Sequence, residues 1–353
     1  MMLRDIKTHL LNIPLKQPYH LAFGDVTHFD TIVIEIRDDD GRSGFGEATL
    51  LPAYGGGSVE GAWRFVKEMT VNLSGLTTEA AKAELLKSLD AQSFAVSAYV
   101  AAIEMLEGND ILNPEGEIRV ALLGAVNTTD DAALPAEIER LLNQGYGTLK
   151  VKVGFDLESD LERVGLIQGC VGGRARLRID GNQGYSVDEA KRFVTEIEPQ
   201  GIELFEQPCP AADWDAARDV AIVSRVPMML DESIFGIEDI ERAADLGIAK
   251  FIKLKLFKMG GVERLLQGLE RIRALGMEPV LGNGVAADIS CWMEACVAGL
   301  AINNAGEFNG FLRPASGIFK DPLRVEGGAL VLAPGFRPRL DAEKIAAFAV
   351  DGG

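Results

Sequence analysis

Five ionisable residues recur at one interval through the middle of the chain: Lys152 in KVKVG, Asp180 in RIDGNQGY, Glu206 in LFEQP, Asp231 in MLDES and Lys255 in KLKLFKMGG. The steps between them are 28, 26, 25 and 24 residues. Each step is the length of one strand-plus-helix unit. Five successive strands would therefore each deliver one charged group at the C-terminal end, where parallel barrels keep their chemistry. Three carboxylates on neighbouring strands repel one another in a dry site unless a cation sits among them. Oxygen-only ligation by Asp180, Glu206 and Asp231 suits Mg2+, with Mn2+ as a substitute, and leaves positions open for substrate oxygens. An acid just after a strand also serves as a helix N-cap, a use that does not call for three in a row at the repeat length.

Lys150 and Lys152 interrupt the apolar stretch GTLKVKVG at a spacing of two, so both ammonium groups leave the same face of a strand. Alone, such a pair reads as a solvated edge strand. On the second of eight barrel strands, Lys152 instead faces Lys255 on the sixth, four strands away across the mouth. A substrate carboxylate held on the metal would set its α-carbon between two amines. The metal would stabilise the enediolate left when the α-proton departs. An amine with an ordinary pKa of about 10.4 is a poor base at neutral pH. Lys150 beside Lys152, and Lys253 beside Lys255, are expected to make their neighbours less basic by like-charge repulsion. The Schiff-base lysine of a barrel aldolase is a competing chemistry, which needs one active lysine and no metal triad.

The surrounding pattern supplies the elements that position these groups. Strands over 3–15, 31–37 and 43–49, with a turn at Asp40-Gly41, predict an antiparallel meander. Helical periodicity follows at 59–71, 78–89 and 93–106, then a Gly/Asn/Pro break at 108–116. Residues 1–116 are expected to form an α+β capping domain, joined by the tail 325–353, with 329–340 and 342–348 returning to it. Two segments rich in small and aromatic residues, 19–25 and 50–57, read as loops. Residues 117–324 alternate short apolar strands (119–125, 148–153, 176–180, 203–206, 228–231, 251–256, 279–282 and 305–308) with helices that include 135–143, 186–197, 214–223, 238–246, 262–275 and 287–300. That predicts an α/β fold, a TIM-type barrel of modified (β/α)7β form. The alternative, a doubly wound open sheet, lacks G-x-G-x-x-G.

The 353 residues carry 35 Lys+Arg against 53 Asp+Glu, a formal charge of −18. That balance argues against a nucleic-acid backbone or an anionic membrane as partner. The start, MMLRDIKTHLLNIPL, lacks a signal-peptide pattern, and no apolar run reaches about 18 residues. Cys170, Cys209, Cys291 and Cys296 lie at no metal or redox spacing and read as reduced thiols, consistent with a cytoplasmic location.

KVKVG, RIDGNQGY, FEQP, LDES and KLKLFKMGG in this order resemble the enolase superfamily, in particular its muconate-lactonizing-enzyme subgroup. The meander with GRSGFGEA and the closing APGFRPRLD are similar to that family's capping domain. The resemblance spans essentially the whole chain. It implies Asp180, Glu206 and Asp231 as Mg2+ ligands, Lys152 and Lys255 as the acid/base pair, and Asn182 and Glu232 as supporting polar groups. It further implies that Lys150 contacts the substrate carboxylate and that loops near Phe23 and Tyr54 close over the substrate. The mandelate-racemase branch uses a histidine on the seventh strand. The only histidines here, His9, His20 and His28, lie outside the barrel.

Two departures bear on the substrate. Dipeptide epimerases of this family resemble G-x-M-L-E-S near the seventh strand, where this chain has GNGVAAD with Ala286 in place of the Glu. They carry Asp-x-Asp for an α-ammonium group at the eighth, where this chain has Glu307-Phe308-Asn309. The missing acid weakens a dipeptide assignment, while the charge of Glu307 still suits a cationic or amino group. Asn283, Glu307, Asn309 and Arg313 are the candidate specificity residues. The expected function is Mg2+-dependent abstraction of the α-proton of a small carboxylate: racemisation or epimerisation of an N-modified amino acid, by a homo-oligomeric enzyme. Muconate-type lactonisation, dehydration and non-catalytic carboxylate binding are the alternatives.

Overall fold

The stretch TIVIEIR carries the apolar run Ile32, Val33 and Ile34 and then Ile36 because both faces of its strand are covered there. In the computed structural model, which describes residues 1–21, 24–50, 57–283 and 285–350, it lies in the centre of an antiparallel sheet. The strands are β1 (Leu3–Leu21), β2 (Gly24–Asp38) and β3 (Ser43–Leu50), in that order. Ile32, Ile34 and Ile36 pack into one cluster with the helices α1 (Val59–Asn72), α2 (Thr78–Leu86) and α3 (Ser93–Leu106). Val33, with Leu11, Ile13 and Phe45, joins the cluster of the second half of the chain. The described residues of the segment 19–25, expected as a loop, are paired ends of β1 and β2, with Tyr19 opposite Val26 and Leu21 opposite Gly24. Residues 51–56 of the second expected loop, Tyr54 among them, lie outside the described residues, as does Phe23.

GRSGFGEA needs its glycines for contact. A Cβ on Gly44 would lie 2.0 Å from Ala102 O, and one on Gly46 would lie 1.9 Å from Ala98 O, so β3 rests directly on the α3 backbone. Glu47, between them and the barrel, is buried and accepts from the amides of Ala287 (2.6 Å) and Ile289 (2.9 Å). Those amides open a barrel helix, whose unpaired N–H groups a carboxylate satisfies. Burial pushes Glu47 up to about 7 against the pull of these amides.

The second half is a parallel sheet of seven strands. In spatial order they are β11 (Glu278–Leu281), β10 (Phe251–Leu254), β9 (Met228–Leu230), β8 (Ile202–Glu206), β7 (Arg176–Asp180), β6 (Thr148–Lys152) and β5 (Gly124–Ala125). Its two edges are joined through residues 306 and 307. Gly306 N donates to Ala121 O (2.8 Å) and Glu307 N to Leu281 O (2.9 Å). The eighth position is thus two bridges, Leu122 to Gly306 and Gly282 to Glu307, rather than a strand over 305–308. The architecture is the expected TIM-like barrel with an N-terminal capping sheet. Its interior below the mouth is filled by Leu204, Met229, Val280 and Phe251, the layered filling of a closed barrel. Buried Arg178 crosses it from β7 to Ala305 O (2.8 Å) and Asn304 Oδ1 (3.2 Å).

The helices between strands are α4 (Leu134–Asn143), α5 (Leu157–Val171), α6 (Val187–Glu196), α7 (Trp214–Val223), α8 (Ile237–Leu246), α9 (Leu256–Met259), α10 (Val262–Ala274) and α11 (Asp288–Ala301). The Ser186/Glu189 capping box of α6 forms in both directions. One expected strand divides. Over 119–125 the chain changes partners, since β4 (Ile118–Ala121) pairs antiparallel with β13 (Ala329–Leu332) before β5 enters the barrel. The tail divides with it. β12 (Arg324–Glu326) and β13 extend β4, while α12 (Ala342–Phe348) and the described residues after it lie against β1, where Val350 N donates to Leu10 O (2.9 Å). Among the described residues no helix is long and apolar enough to cross a membrane. All four cysteines are free thiols.

Candidate active site

Strand alternation decides which side chains enter the barrel. On β6, Leu149 and Val151 join the outer cluster beneath the helices, so Lys150 and Lys152 point inward. The register then sets Lys152 opposite Asp180, and Asp180 opposite Glu206. Asp231 follows the end of β9, and Lys255 follows the end of β10 as the N-cap of α9. Between β6 and β10 stand β7, β8 and β9, so Lys152 and Lys255 occupy opposite sides of the mouth with the three carboxylates along the arc between them.

The charges are closely matched. Lys150 Nζ lies 2.9 Å from Asp180 Oδ2, 3.1 Å from Glu206 Oε2 and 2.6 Å from Glu307 Oε1. Lys253 Nζ reaches Glu206 Oε1 at 2.5 Å and also pairs with Glu307. Lys152 meets Asp180 Oδ2 at 2.6 Å, and Lys255 meets Asp231 Oδ2 at 2.8 Å. A further lysine, Lys258, donates to Asp231 through Oδ1 (2.9 Å) and the main-chain oxygen (2.5 Å). Lys258 was visible in KLKLFKMGG, but a lysine on the first turn after a strand carries no sequence sign that it turns back to the preceding unit. The two candidate bases differ in access: the Lys152 side chain is 40% exposed and that of Lys255 only 5%.

Burial alone would make these lysines less basic, and the carboxylates override it. Asp180, Glu206 and Glu307 hold Lys150 well above the usual lysine value. Burial is likewise outweighed at Lys255 by Asp231 and Glu232, which hold it above that value. The expectation that Lys253 makes Lys255 less basic therefore fails for the protein groups alone, because acids outnumber amines around it. Burial would raise Asp180, but Lys150, Lys152 and Lys253 keep it below the ordinary range. Burial and the Asp180 charge raise Glu206.

Asn182 accepts from Lys152 (3.1 Å) and donates to Glu232 Oε1 (2.5 Å), so the two expected supporting groups form a chain to one candidate base. Burial, then the Asp231 and Asp180 charges, push Glu232 up to about 7. Glu307 meets cationic groups, as its charge suggested, but they are Lys150 and Lys253 of the protein itself. Burial would raise it, and those two ammonium groups bring it down to about 2. Glu307→Gln leaves two buried amines short of one partner each. It is expected to cost about 2 kcal/mol of stability in urea unfolding, against no change if the pairs were solvated. Asn283 is buried and donates to Glu294 Oε2 (2.7 Å) on α11. Asn309 donates to Leu123 O (3.2 Å), and it lines, with Arg313, Lys16 and Tyr146, a cavity of about 1240 Å3 that none of the mouth lysines line.

Whether these residues suit a divalent cation turns on their chemistry. Asp180, Glu206 and Asp231 offer only oxygen, which hard cations take. Glu206 Oε2 is buried without a hydrogen bond, although Lys150 stands 3.1 Å away as an ion-pair partner. Among the described residues no three such groups close on a common point. The fit is one of donor type and of a buried oxygen without a hydrogen bond, with the carboxylates spread along three strand ends.

Comparison with known proteins follows the same lines. Residues 133–343 match the family described as enolase C-terminal domain-like. The chain is 32% identical over 294 residues to an L-Ala-D/L-Glu epimerase of Clostridium acetobutylicum, covering 80% of this chain and 82% of that one. It is 30% identical to the L-Ala-D/L-Glu epimerase of Bacillus subtilis, over 79% and 80% of the two. Among solved structures, muconate lactonizing enzyme from Pseudomonas fluorescens, complexed with muconolactone, superposes with a TM-score of 0.90 at 25% identity, covering 99% of each chain.

Proposed function

Since this chain belongs to the enolase superfamily, in its mandelate racemase/muconate lactonizing enzyme family, and is an isomerase of the epimerase kind, we propose that it epimerises the α-carbon of a dipeptide or other N-acylated amino acid bearing a free carboxylate. One observation carries this reading: two lysines on opposite sides of a barrel mouth, with three acids along the arc between them. Membership implies a divalent metal, and we take Mg2+ held by Asp180, Glu206 and Asp231 as the form it has here. When bound, such a cation supplies Lewis-acid stabilisation to the carboxylate oxygens and takes up acid charge that otherwise keeps the lysines protonated.

The chain's own residues do the rest. In one direction neutral Lys152 takes the α-proton from one face and protonated Lys255 returns a proton to the other. In the reverse direction the roles exchange, and the carbon is inverted either way. Lys150, at the base of the carboxylate arc, supplies a fixed positive charge for the substrate carboxylate. Asn182 orients Lys152 by accepting one of its protons and is itself held by Glu232.

The departures at 286 and 307–309 pointed away from a dipeptide, whereas the sequence relatives are dipeptide epimerases of varied specificity. Both observations fit if the N-terminal part of the substrate is recognised differently here, because Glu307 is already engaged by Lys150 and Lys253. Incubation of L-Ala-L-Glu, a hydrophobic dipeptide and an N-acyl amino acid with Mg2+ in deuterated water, followed by NMR, tests the proposal. Loss of the α-proton signal with appearance of the epimer is the expected result. Lactone formation or loss of water in its place would replace epimerisation by the cycloisomerase or dehydratase reading.

A further inference from the structure

We propose that Glu104, acting with Ser97 and Phe94 on one face of α3, is a positioning residue for Lys255, so that the capping domain sets the reach of one of the two bases. The proposal rests on Lys255 being a base, as inferred above. Glu104 is 1% exposed, inside a helix otherwise buried among apolar groups, and no step of the reaction uses it. A carboxylate in such a place needs compensation. It finds it across the domain boundary, accepting from the amides of Val262 (2.7 Å) and Glu263 (3.2 Å), the first two residues of α10. Seven residues earlier, Ser97 Oγ donates to Leu256 O at 3.1 Å. Three residues before that, Phe94 stacks on Phe257 with ring centroids 4.1 Å apart and planes 8° from parallel. Separations of three and seven place all three on one side of a helix.

What they hold is the segment that begins at Lys255. Lys255 is the N-cap of α9, which has only four residues, too few to be stable by themselves. It ends at Gly260 (φ 74°) and Gly261 (φ 142°), a reversal that other residues rarely adopt. Gly261 is also needed for contact, since a Cβ there would meet Glu104 Oε1 at 2.8 Å. The segment is thus pinned by α3 at the residue after Lys255, at the next aromatic ring and just past the two glycines. Lys152 is placed otherwise, as a strand residue in parallel register with Asp180. One base is positioned by the barrel's own ladder and the other by a helix of the capping domain.

An asymmetric readout separates positioning from general support of the fold. The probes are L-Ala-D-Glu and L-Ala-L-Glu with Mg2+ in deuterated water. The epimer whose α-proton faces Lys255 is identified as the one that Lys255→Ala silences. Glu104→Ala is expected to slow exchange of that epimer roughly 10- to 100-fold and to leave the other within about twofold. Glu104→Gln, which keeps an accepting oxygen, should recover much of the loss. Equal slowing of both epimers, or of neither, overturns the proposal. If the wild-type protein exchanges neither peptide, it is the choice of substrate or the reading of function that fails, and backbone amide exchange decides on positioning. Glu104→Ala should then speed exchange over 256–263 and not over 148–153, and unchanged rates over 256–263 overturn it. Ser97→Ala, which removes the hydrogen bond to Leu256 O, serves for the same measurement should the Glu104→Ala variant not fold.

Discussion

Lys255→Ala will leave one epimer of the substrate exchanging its α-proton with deuterated water and silence the other, and Lys152→Ala will do the reverse. Neither variant will invert the carbon. The expectation follows from placement. The two amines stand four strands apart on opposite sides of the mouth, so each reaches one face of a carbon held between them and neither can stand in for the other. Removing a positioned acid–base group costs on the order of 10²- to 10⁴-fold, and here the whole loss falls on one epimer in each variant. Epimerisation needs both and should be undetectable in either. A proton NMR time course on each separate epimer checks this. Both epimers silenced by a single substitution would mean that one lysine serves both faces, and the two-base reading would be abandoned.

Glu206→Gln is expected to weaken binding of Mn2+, used as a spectroscopic substitute for Mg2+, by about 100-fold or more, a loss at least as large as that from removing groups around a metal ligand. Glu206 is the middle of the three acids, and its Oε2 is buried without a hydrogen bond. The fold should survive, because Lys150 keeps Asp180 and Glu307 while Lys253 keeps Glu307 and Asp231. Electron paramagnetic resonance titration of free Mn2+ reads the affinity, and thermal unfolding controls for the fold. Unchanged Mn2+ affinity would remove Glu206 from the ligand set and with it the assignment of the arc of acids as the metal centre.

The alternation of strand and helix from residue 118 onward, and the near-equal steps from Lys152 to Lys255, were enough to determine a barrel with one charged group at each of five successive strand ends. They were enough because a parallel ladder makes position along the chain nearly equivalent to position around the barrel. The use of the glycines in GRSGFGEA, a close approach to the α3 backbone, came only from the structure. What lay beyond the sequence was where groups far apart in the chain come to rest on one another. The eighth strand reduces to two bridges, β4 leaves the barrel for β13, and Glu307 spends its charge on Lys150 and Lys253. Glu47 and Glu104 leave the capping domain to close the ends of two barrel helices. The same limit applies to basicity. Two lysines at a spacing of two suggested mutual repulsion, but the charges of Asp180, Glu206 and Glu307 around Lys150, and of Asp231 and Glu232 around Lys255, outweigh burial and hold both above their usual values. Like-charge neighbours are written in the sequence; the carboxylates that outweigh them are assembled only by closing the barrel.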